Sequence, residues 1–454
     1  MAYQKEQKLS TLPDGLLVAW YGDDFTGAAA VMEVLAFAGV PALLFLDVPT
    51  PERLARYPEL RAVGVASTAR AWSPDEMDAA LPPAFSALLA LEPEVLHYKI
   101  CSTLDSSPTI GSIGRAIEIG AGLTDPQVVP VLVAAPDMKR FQVFGHLFAG
   151  LGDQVYRLDR HPVMARHPVT PMAESDVARH INAQSDRIAA ALWSDSCPAP
   201  LPDTIPVVTL DSLDATSEAA AGRMIWNGRG ANRFVVGSQG VEYALVRHWR
   251  DIGALEPVAP PSGAGRSDGM VVVSGSVSPT TAQQIAWSRA NGFATIRFDV
   301  TQACGDARDL CDEVDRVLSE SLAAIAAGHD PLIFTAEGPD DPAVARLRAV
   351  VAQAGCDMAQ VNRTIGQTLG RILDRVLTQS GLRRAVISGG DTSGYATQQL
   401  GIFALSARAP TIAGASLFKA HADGPMDGLE LALKGGQMGS PDYFGWIRDG
   451  GGLR

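Results

Sequence analysis

Cysteines are few in this sequence, and they follow no recognisable pattern. The five, Cys101, Cys197, Cys304, Cys311 and Cys356, are scattered over 454 residues and include no CxxC pair. This spacing argues against a disulfide framework and against a zinc site. We therefore predict a cytoplasmic protein, kept in a reducing compartment, and we name no metal-ligating side chains.

Long apolar runs and an excess of positive charge are also absent from the sequence. No stretch is apolar for long enough to cross a bilayer, and the N-terminal MAYQKEQKLSTLPDG lacks the apolar core of a signal peptide. The formal net charge is -13. Because nucleic acids and anionic membranes bind clustered lysine and arginine, neither partner is expected. A local basic pocket for a small anion remains compatible with this charge.

Apolar residues are abundant and follow an alternating pattern. They make up 47% of the chain, against 19% charged residues, which is typical of a protein with large cores. Short apolar runs such as LLVAWY, AVGVAS and VVPVLVAA alternate with amphipathic stretches, which predicts α/β domains with mainly parallel sheets. The Pro- and Gly-rich residues 254–269 interrupt this rhythm and predict a linker. We expect one α/β domain over residues 1–253 and a second over residues 270–454.

Two adjacent aspartates end the first apolar run, in LLVAWYGDDFTGAAAVMEV. Open parallel sheets bind ligands beyond the carboxyl ends of their strands, and Asp23 and Asp24 lie at such an end. Paired carboxylates there can activate a hydroxyl as a general base or hold the hydroxyls of a sugar. The alternative is that Asp24 caps the following helix and that Asp23 is a solvated turn residue. The residues alone leave both interpretations open.

Three turns rich in glycine and hydroxyl groups follow strands of the second half. They are SGSVSPTT from Ser274, SGGDTSG from Ser388 and KGGQMGSPD from Lys434. Glycine allows backbone N–H groups to approach an anion, and the N-terminus of the next helix adds partial positive charge. Together the turns favour a nucleotide site over three ordinary turns. Neither a Walker A sequence nor a convincing dinucleotide-binding GxGxxG sequence is present, so a dehydrogenase is disfavoured.

In combination, these motifs resemble the four-carbon acid sugar kinase family. The matching pieces span nearly the whole chain in order: GDDFTGAA, KICSTLDSSPTIGSIG, VVSGSVSPTT, ISGGDTSG and LKGGQMGSPDYF. Members of the family phosphorylate threonate, erythronate or 3-oxo-tetronate with ATP. The resemblance implies an N-terminal domain that binds the acid sugar, a C-terminal domain that binds ATP, and Mg²⁺ bridging the phosphate oxygens. It leaves a homodimer open.

The resemblance also implies roles for individual residues. Asp24 and Asp23 match the N-terminal signature and are the expected catalytic carboxylates. The residues expected to contact the substrate through matching motifs are Thr26, Gly27, Lys99, Ser102 and Thr103. Those expected to bind the nucleotide are Ser274, Ser276, Gly389, Gly390, Asp391, Thr392, Gly436 and Gly439.

The second substrate motif departs from the family pattern K-x-D-S-T-L-R-G. Cys101 stands in place of Asp, and Asp105 stands in place of Arg. Because Asp repels a carboxylate where Arg binds it, we expect simple threonate and erythronate to be poor substrates. The stretch LDRHPVMARHPVTPM places Arg160 and Arg166 before two His-Pro-Val repeats. These arginines either supply the lost positive charge to the substrate or belong to a structural loop.

Other interpretations remain open. The basic stretch PDMKRFQVFGHLF follows a predicted strand, and it fits either an active site or a solvated turn. Besides a kinase, the sequence is compatible with a sensor protein that binds a nucleotide or a sugar acid but catalyses no reaction. A metal-dependent lyase or hydrolase that uses the paired aspartates would need no ATP, and the three glycine-rich turns would then have no role.

Overall fold

The structure, a computed structural model, describes residues 11–167, 169–194, 203–259 and 261–454. Its internal contacts divide the chain into two compact units, Met1–Ala259 and Pro260–Arg454. Both are α/β units built on mainly parallel sheets, as the sequence predicts. None of the helices in the described ranges combines the length and the apolar character needed to span a membrane.

The first unit contains eleven strands and seven α-helices within its described residues. The strands are β1 (Val18–Gly22), β2 (Ala42–Phe45), β3 (Ala62–Ala66), β4 (Val95–Lys99), β5 (Val129–Leu132), β6 (Arg140–Val143), β7 (His146–Leu151), β8 (Gln154–Arg157), β9 (Ile188–Leu192), β10 (Ile205–Thr209) and β11 (Phe234–Gly237). The helices are α1 (Phe25–Phe37), α2 (Pro51–Leu54), α3 (Pro74–Leu89), α4 (Ile113–Thr124), α5 (Val177–Asn182), α6 (Ala215–Gly228) and α7 (Gly240–Asp251).

A parallel sheet forms the centre of this unit. Its strand order is β2-β3-β1-β4-β11-β5-β10-β9. Every residue of β1, β3 and β4 is buried, which explains their continuous apolar runs, since helices cover both faces of such sheets. The parallel register pairs Gly22 of β1 with Lys99 of β4. The residues that follow β1, β3 and β4 therefore lie at one edge of the sheet.

A separate antiparallel sheet of β6, β7 and β8 belongs to the same unit. The alternation of apolar runs and helices does not indicate this sheet, because its strands are short and the first of them is half polar. In β6, Arg140 pairs with Ala149 of β7, and Gln142 pairs with Leu147.

The second unit contains seven strands and six α-helices within its described residues. The strands are β12 (Val271–Ser274), β13 (Phe293–Arg297), β14 (Asp330–Phe334), β15 (Arg384–Ser388), β16 (Ile402–Ala409), β17 (Leu417–Ala422) and β18 (Glu430–Lys434). The helices are α8 (Pro279–Ala290), α9 (Ala307–Ala326), α10 (Pro342–Ala354), α11 (Met358–Ser380), α12 (Gly390–Thr397) and α13 (Tyr443–Arg448).

The sheet of the second unit is parallel across β13-β14-β12-β15-β18 and ends in the antiparallel strands β17 and β16. Its core contains Val272, Leu332, Val386 and Ala432 from four neighbouring strands, together with Tyr443 of α13. Since β12, β15 and β18 are neighbours, the turns that follow them lie side by side.

Candidate active site

Two carboxylates and two cations meet at the edge of the first sheet. Arg70 donates from Nε to Asp23 Oδ2 at 3.1 Å and from Nη2 to Asp23 Oδ1 at 2.8 Å. The same Nη2 donates to Asp24 Oδ1 at 2.8 Å. Lys99 is fully buried and donates to the carbonyl of Ile100 at 2.6 Å. Its positive charge also lowers the pKa of Asp24. The four charges balance one another.

Arg70 was not singled out from the sequence. It lies just beyond β3 in the stretch AVGVASTAR, and its backbone N–H donates to the Asp23 carbonyl at 3.0 Å. Its position in the sequence could have indicated it. A basic residue that follows a buried parallel strand lies at the same end of the sheet as the residues that follow the neighbouring strands.

Asp24 combines the capping role with a place in the charged cluster. It is the N-cap of α1 and accepts hydrogen bonds from the Gly27 N–H at 3.0 Å and from the Thr26 hydroxyl at 2.7 Å. Burial opposes its ionisation, but Arg70, Lys99 and these hydrogen bonds outweigh burial and lower the pKa of Asp24 to about 2. Asp24 is therefore ionised throughout the physiological range.

Asp23 differs from Asp24 in its surroundings. Its carboxylate accepts from Arg70 through both oxygens, and it is almost fully buried. Burial raises the pKa of Asp23, although Arg70 opposes this effect. Of the two carboxylates, Asp23 is the stronger base, while the side chain of Asp24 is the more exposed.

Gly27 allows the close approach of two charged groups. A Cβ atom at this position would overlap the carboxylate of Asp24 and the ammonium group of Lys99. The glycine is therefore required by the packing of the cluster. A direct contact between Gly27 and the substrate remains a prediction, and the same holds for Thr26.

The second substrate motif follows β4 and leads toward the loop that contains the His-Pro-Val repeats. Thr103 is buried, with its hydroxyl 3.1 Å from the thiol of Cys101, and Ser102 is half-buried. Asp105 accepts a hydrogen bond from the Thr170 hydroxyl and lies 3.8 Å from Nδ1 of His167. Asp105 thus holds this loop through Thr170, whereas the expectation from the motif was a carboxylate that faces and repels an acidic substrate.

Arg160 and Arg166 end two short 3₁₀ turns of the same loop, Leu158–Arg160 and Met164–Arg166, and both are exposed. The ring of His161 accepts from the N–H groups of Val163 and Met164 at 3.2 Å each. This histidine therefore organises the loop. A role of the two arginines in substrate binding stays a prediction.

The three glycine-rich turns of the second unit converge at the carboxyl ends of β12, β15 and β18. The Gly275 N–H donates to the Ser388 carbonyl at 3.0 Å, and the Gly389 N–H donates to the Lys434 carbonyl at 2.8 Å. These bonds join the first turn to the second and the second to the third. The structure therefore brings together the segments that contain the predicted nucleotide-binding residues.

Hydroxyl groups and glycines alternate closely within these turns. Ser276 Oγ accepts from the Thr281 hydroxyl at 2.9 Å, and a Cβ atom on Gly436 would lie 2.7 Å from that same Oγ. Gly389 has a φ of +122°, which L-residues rarely adopt, and a Cβ atom there would lie 2.9 Å from Oγ1 of Thr392. Glycine at both positions is required by geometry.

Other predicted residues of these turns have different surroundings. Gly390 begins α12, and a Cβ atom there would meet no other atom within 4 Å. The hydroxyl of Ser274 is buried and has no hydrogen-bond partner among the described residues. Gly439, with a φ of +90°, packs against Tyr443. Asp391 lies in the first turn of α12, and its side chain falls outside the described part of the chain.

Lys434 is a buried cation at the same turns. Its ammonium group donates to the Gly435 carbonyl at 2.9 Å and lies 3.4 Å from the Gly436 carbonyl and from Oγ1 of Thr281. Burial lowers the pKa of Lys434 to about 7. The sequence analysis noted this lysine within a turn but assigned it no role.

An apolar cleft of about 380 Å³ lies beside the turns, between β14, α10 and the start of α11. Gly275 and Thr392 line the cleft and also belong to the turns. The apolar side chains that line it are Val277, Val300, Val344, Leu347, Met358 and Ile365. A mostly apolar cleft with a few polar groups in its lining is typical of a site for a small organic ligand.

No group of three or more His, Cys, Asp or Glu side chains that could hold a metal ion occurs in the described ranges. The four cysteines within those ranges are free thiols.

Comparison with known proteins identifies the two units. Residues 18–245 match the sugar-binding N-terminal domain, and residues 271–444 match the nucleotide-binding C-terminal domain. The 3-oxo-isoapionate kinase of Paraburkholderia graminis is 44% identical over 448 residues, which cover 96% of this chain and 95% of that protein. The chain belongs to the four-carbon acid sugar kinase family. Membership in this family confirms the resemblance found in the sequence.

More distant relatives belong to the same family. The 3-oxo-tetronate kinase of Cupriavidus necator is 29% identical over 457 residues, covering 96% of this chain and 97% of that protein. A solved structure from Salmonella typhimurium LT2 has a TM-score of 0.73 and 23% identity, covering 95% of this chain and 98% of that chain. This last similarity concerns the fold alone.

Proposed function

We propose that the protein is an ATP-dependent kinase that phosphorylates a hydroxyl group of a small keto sugar acid. The observation that carries the proposal is the 44% identity to a 3-oxo-isoapionate kinase over 96% of this chain. On this basis 3-oxo-isoapionate is the first substrate to test, and 3-oxo-tetronate, named for the more distant relatives, is the second.

In this proposal, residues 270–454 bind the nucleotide. The backbone N–H of Gly390 and the hydroxyls of Ser276 and Thr392 bind the phosphates, while the Gly389 N–H holds the turn by donating to the Lys434 carbonyl. Gly390 supports this role, because the space beside its Cα is open. The adenosine would occupy the apolar cleft lined in part by Gly275 and Thr392.

Residues 1–253 bind the sugar acid at the edge beside Asp23, Asp24 and Lys99, and residues 254–269 link the two parts. Phosphoryl transfer depends mainly on positioning and charge neutralisation. The paired carboxylates would orient the accepting hydroxyl and take its proton. The raised pKa of Asp23 makes it the stronger acceptor, and Asp24 would then hold Arg70 and the start of α1 in place.

Mg²⁺ is expected to enter with ATP, because this ion binds phosphate oxygens and keeps several of its waters. The hydroxyls of Ser276 and Thr392 are oxygen donors of the kind it accepts, and they lie at the turns that would hold the phosphates. The ion would supply charge neutralisation to the transferring phosphoryl group.

An ADP-release assay tests the proposal. ATP-Mg²⁺ is combined with 3-oxo-isoapionate, 3-oxo-tetronate, D-threonate, L-threonate or D-erythronate, and we expect ADP release that depends on at least one keto acid. Thermal shifts with both ligands but no ADP release would favour the sensor. A thermal shift with the acid alone, and none with ATP, would favour the lyase or hydrolase.

A further inference from the structure

Strand β6 has an inverted pattern of polar and apolar side chains. Its sequence is Arg-Phe-Gln-Val, and Gln142 is fully buried, whereas Phe141 and Val143 are half-exposed. Arg140 and Gln142 point to the same side of the strand because side chains alternate along it. Their partners across the ladder are Ala149 and Leu147.

Those two partners, Ala149 and Leu147, are fully buried. The polar side of β6 therefore faces the interior of the first unit, and its apolar side faces outward. This arrangement is the reverse of the usual one for a strand at a surface.

The buried polar groups of β6 are not satisfied by the protein. Nε of Arg140 and both amide atoms of Gln142 are buried, with no hydrogen-bond partner in the described ranges. The hydroxyl of Ser212, which is joined to Gln142 by two backbone hydrogen bonds of 3.0 Å, is also buried and unpartnered. Buried polar atoms are almost always hydrogen-bonded, since leaving one unpaired costs about 1–3 kcal/mol. Such a cluster is typical of a site completed by a polar ligand.

Arg140 also lacks a carboxylate partner. Its Nη1 donates to the carbonyls of Met138, Lys139 and Gly150 at 3.2–3.3 Å. Burial lowers the pKa of Arg140, and no carboxylate of the described chain opposes this effect. A half-buried cation whose Nε is buried and that has no counter-ion favours an anionic ligand.

This unbalanced cation lies close to the charged cluster of the candidate active site. Arg140 forms a bridge with Ala135, just beyond the carboxyl end of β5, and β11 alone separates β5 from β4, which ends at Lys99. The cluster of Asp23, Asp24, Arg70 and Lys99 is balanced, so it provides no net positive charge for an acidic substrate. Arg140 provides that charge.

We infer that Arg140 binds the carboxylate of the sugar acid and that Gln142 binds a hydroxyl or keto oxygen of the same molecule. The guanidinium group can donate two parallel hydrogen bonds to a carboxylate, and the amide of Gln142 can both donate and accept. The pair would make the enzyme select acids over neutral sugars of the same shape. This inference rests on the proposed function for the identity of the ligand.

The test compares an acid with its uncharged counterpart. Isothermal titration measures binding of 3-oxo-isoapionate and of its carboxamide, and kcat/KM is measured for both with ATP-Mg²⁺. For Arg140→Met we expect acid binding and kcat/KM to fall by roughly 10- to 150-fold, the loss typical of a hydrogen bond to a charged group, with little change for the carboxamide. Arg140→Lys keeps the positive charge but loses the paired N–H donors of the guanidinium group. Its acid binding and kcat/KM should therefore lie between those of the wild type and those of Arg140→Met.

Two further variants distinguish the effect of the Arg140 charge from the effect of other charges nearby. Lys139→Gln is the matched control, because it removes a neighbouring positive charge whose ammonium group is exposed and donates to the Gly152 carbonyl. We expect its acid preference to be unchanged. Gln142→Glu would place a carboxylate beside Arg140, so it should abolish acid binding while keeping or raising the melting temperature.

The outcomes separate this inference from the proposed function. An acid preference that survives in both Arg140→Met and Gln142→Glu would overturn the inference, whatever the activity. Binding of the acid that depends on Arg140, without any ADP release, would leave the inference intact and contradict the proposed kinase. If Arg140→Met fails to fold, the Gln142→Glu and Arg140→Lys titrations decide.

Discussion

At the residue scale, Asp24 shows how one side chain can satisfy two interpretations of a motif. It caps α1 through the Gly27 N–H, and it also pairs with Arg70. An asparagine at this position caps a helix about as well as an aspartate, but it cannot balance an arginine. Replacing the charge therefore separates the two roles.

We expect Asp24→Asn to keep the fold and to lower kcat by roughly 10- to 150-fold, the loss typical of a hydrogen bond to a charged group, because Arg70 loses one of its two carboxylate partners beside Asp23. ATP affinity should be unchanged, because the predicted nucleotide-binding residues lie in the other unit. Steady-state kinetics and ATP titration check this prediction. Turnover close to that of the wild type would leave Asp24 with the capping role alone.

Gly27 gives a second test of the charged cluster. Gly27→Ala should lower both kcat/KM and the melting temperature, because the added methyl group would overlap Asp24 and Lys99. Gly122→Ala is the matched control, since this glycine lies within α4 and an added methyl group would meet no atom within 4 Å. The control should be neutral or slightly stabilising. Equal effects of the two substitutions would show that the packing around Gly27 is not critical.

We expect Lys434 to make nucleotide binding depend on pH. Burial lowers the pKa of Lys434 to about 7, and the phosphates of ATP would favour its charged form and raise that pKa. Below pH 7 the lysine is already charged, so the effect disappears. Above pH 7, ATP binding should take up a proton, and ATP affinity should fall as the pH rises.

Titration calorimetry at about pH 8.5 in two buffers of different ionisation enthalpy measures this proton uptake. The Lys434→Met variant should lack it. Proton uptake that is the same in the variant and in the wild type would show that Lys434 does not sense the nucleotide.

Several charged residues of the site could not be found from the sequence by motif alone. Asp23, Asp24 and Lys99 stand in recognisable motifs at strand ends, so they were predicted as site residues. Arg70 reaches the same carboxylates from another segment, and Arg140 lies on a strand of the separate antiparallel sheet. The positions of both are set by strand order, which a single sequence does not reveal. The hydrogen bond from Thr170 to Asp105 likewise joins two segments that are distant in the sequence, so it could not be predicted either.

At the scale of elements, the parallel strands were predictable because each one is a continuous apolar run that precedes an amphipathic helix. The antiparallel strands β6 to β8, β16 and β17 were not. In β6 the one buried residue is the polar Gln142, while its apolar neighbours Phe141 and Val143 are half-exposed, so hydrophobicity does not indicate the buried side. This unusual strand lies at the proposed carboxylate site. Binding sites are where a sequence is expected to depart from the usual burial of apolar side chains.

The turn between β15 and α12 provides a test at this scale. Gly390→Val should abolish ATP binding and leave the fold intact, because the added side chain would point into open space within the structure and would occupy the proposed phosphate site. Gly424→Val is the control, since Gly424 also has open space beside it and precedes β18, whereas the nucleotide turn follows that strand. Calorimetric titration that shows unchanged ATP affinity in folded Gly390→Val would exclude this turn from the phosphate site.

At the scale of the whole molecule, each unit carries its own parallel sheet and its own candidate site. The linker and the division into two α/β parts were predicted from composition, since the Pro- and Gly-rich stretch interrupts the alternation of strands and helices. The kinase function was predicted from the order of the motifs, and the curated relatives bear it out. The substrate was not predictable, because it depends on individual contacts such as the one we propose for Arg140.

The central claim is that the protein transfers the γ-phosphoryl group of ATP to a keto sugar acid. The most direct measurement is a single-turnover reaction with γ-labelled ATP and 3-oxo-isoapionate, in which labelled sugar phosphate is separated from labelled inorganic phosphate. We predict that the label appears in the sugar phosphate, and that the Asp24→Asn protein forms it far more slowly. Label that appears only as inorganic phosphate, or that stays in ATP with every sugar acid of the panel, would contradict the account.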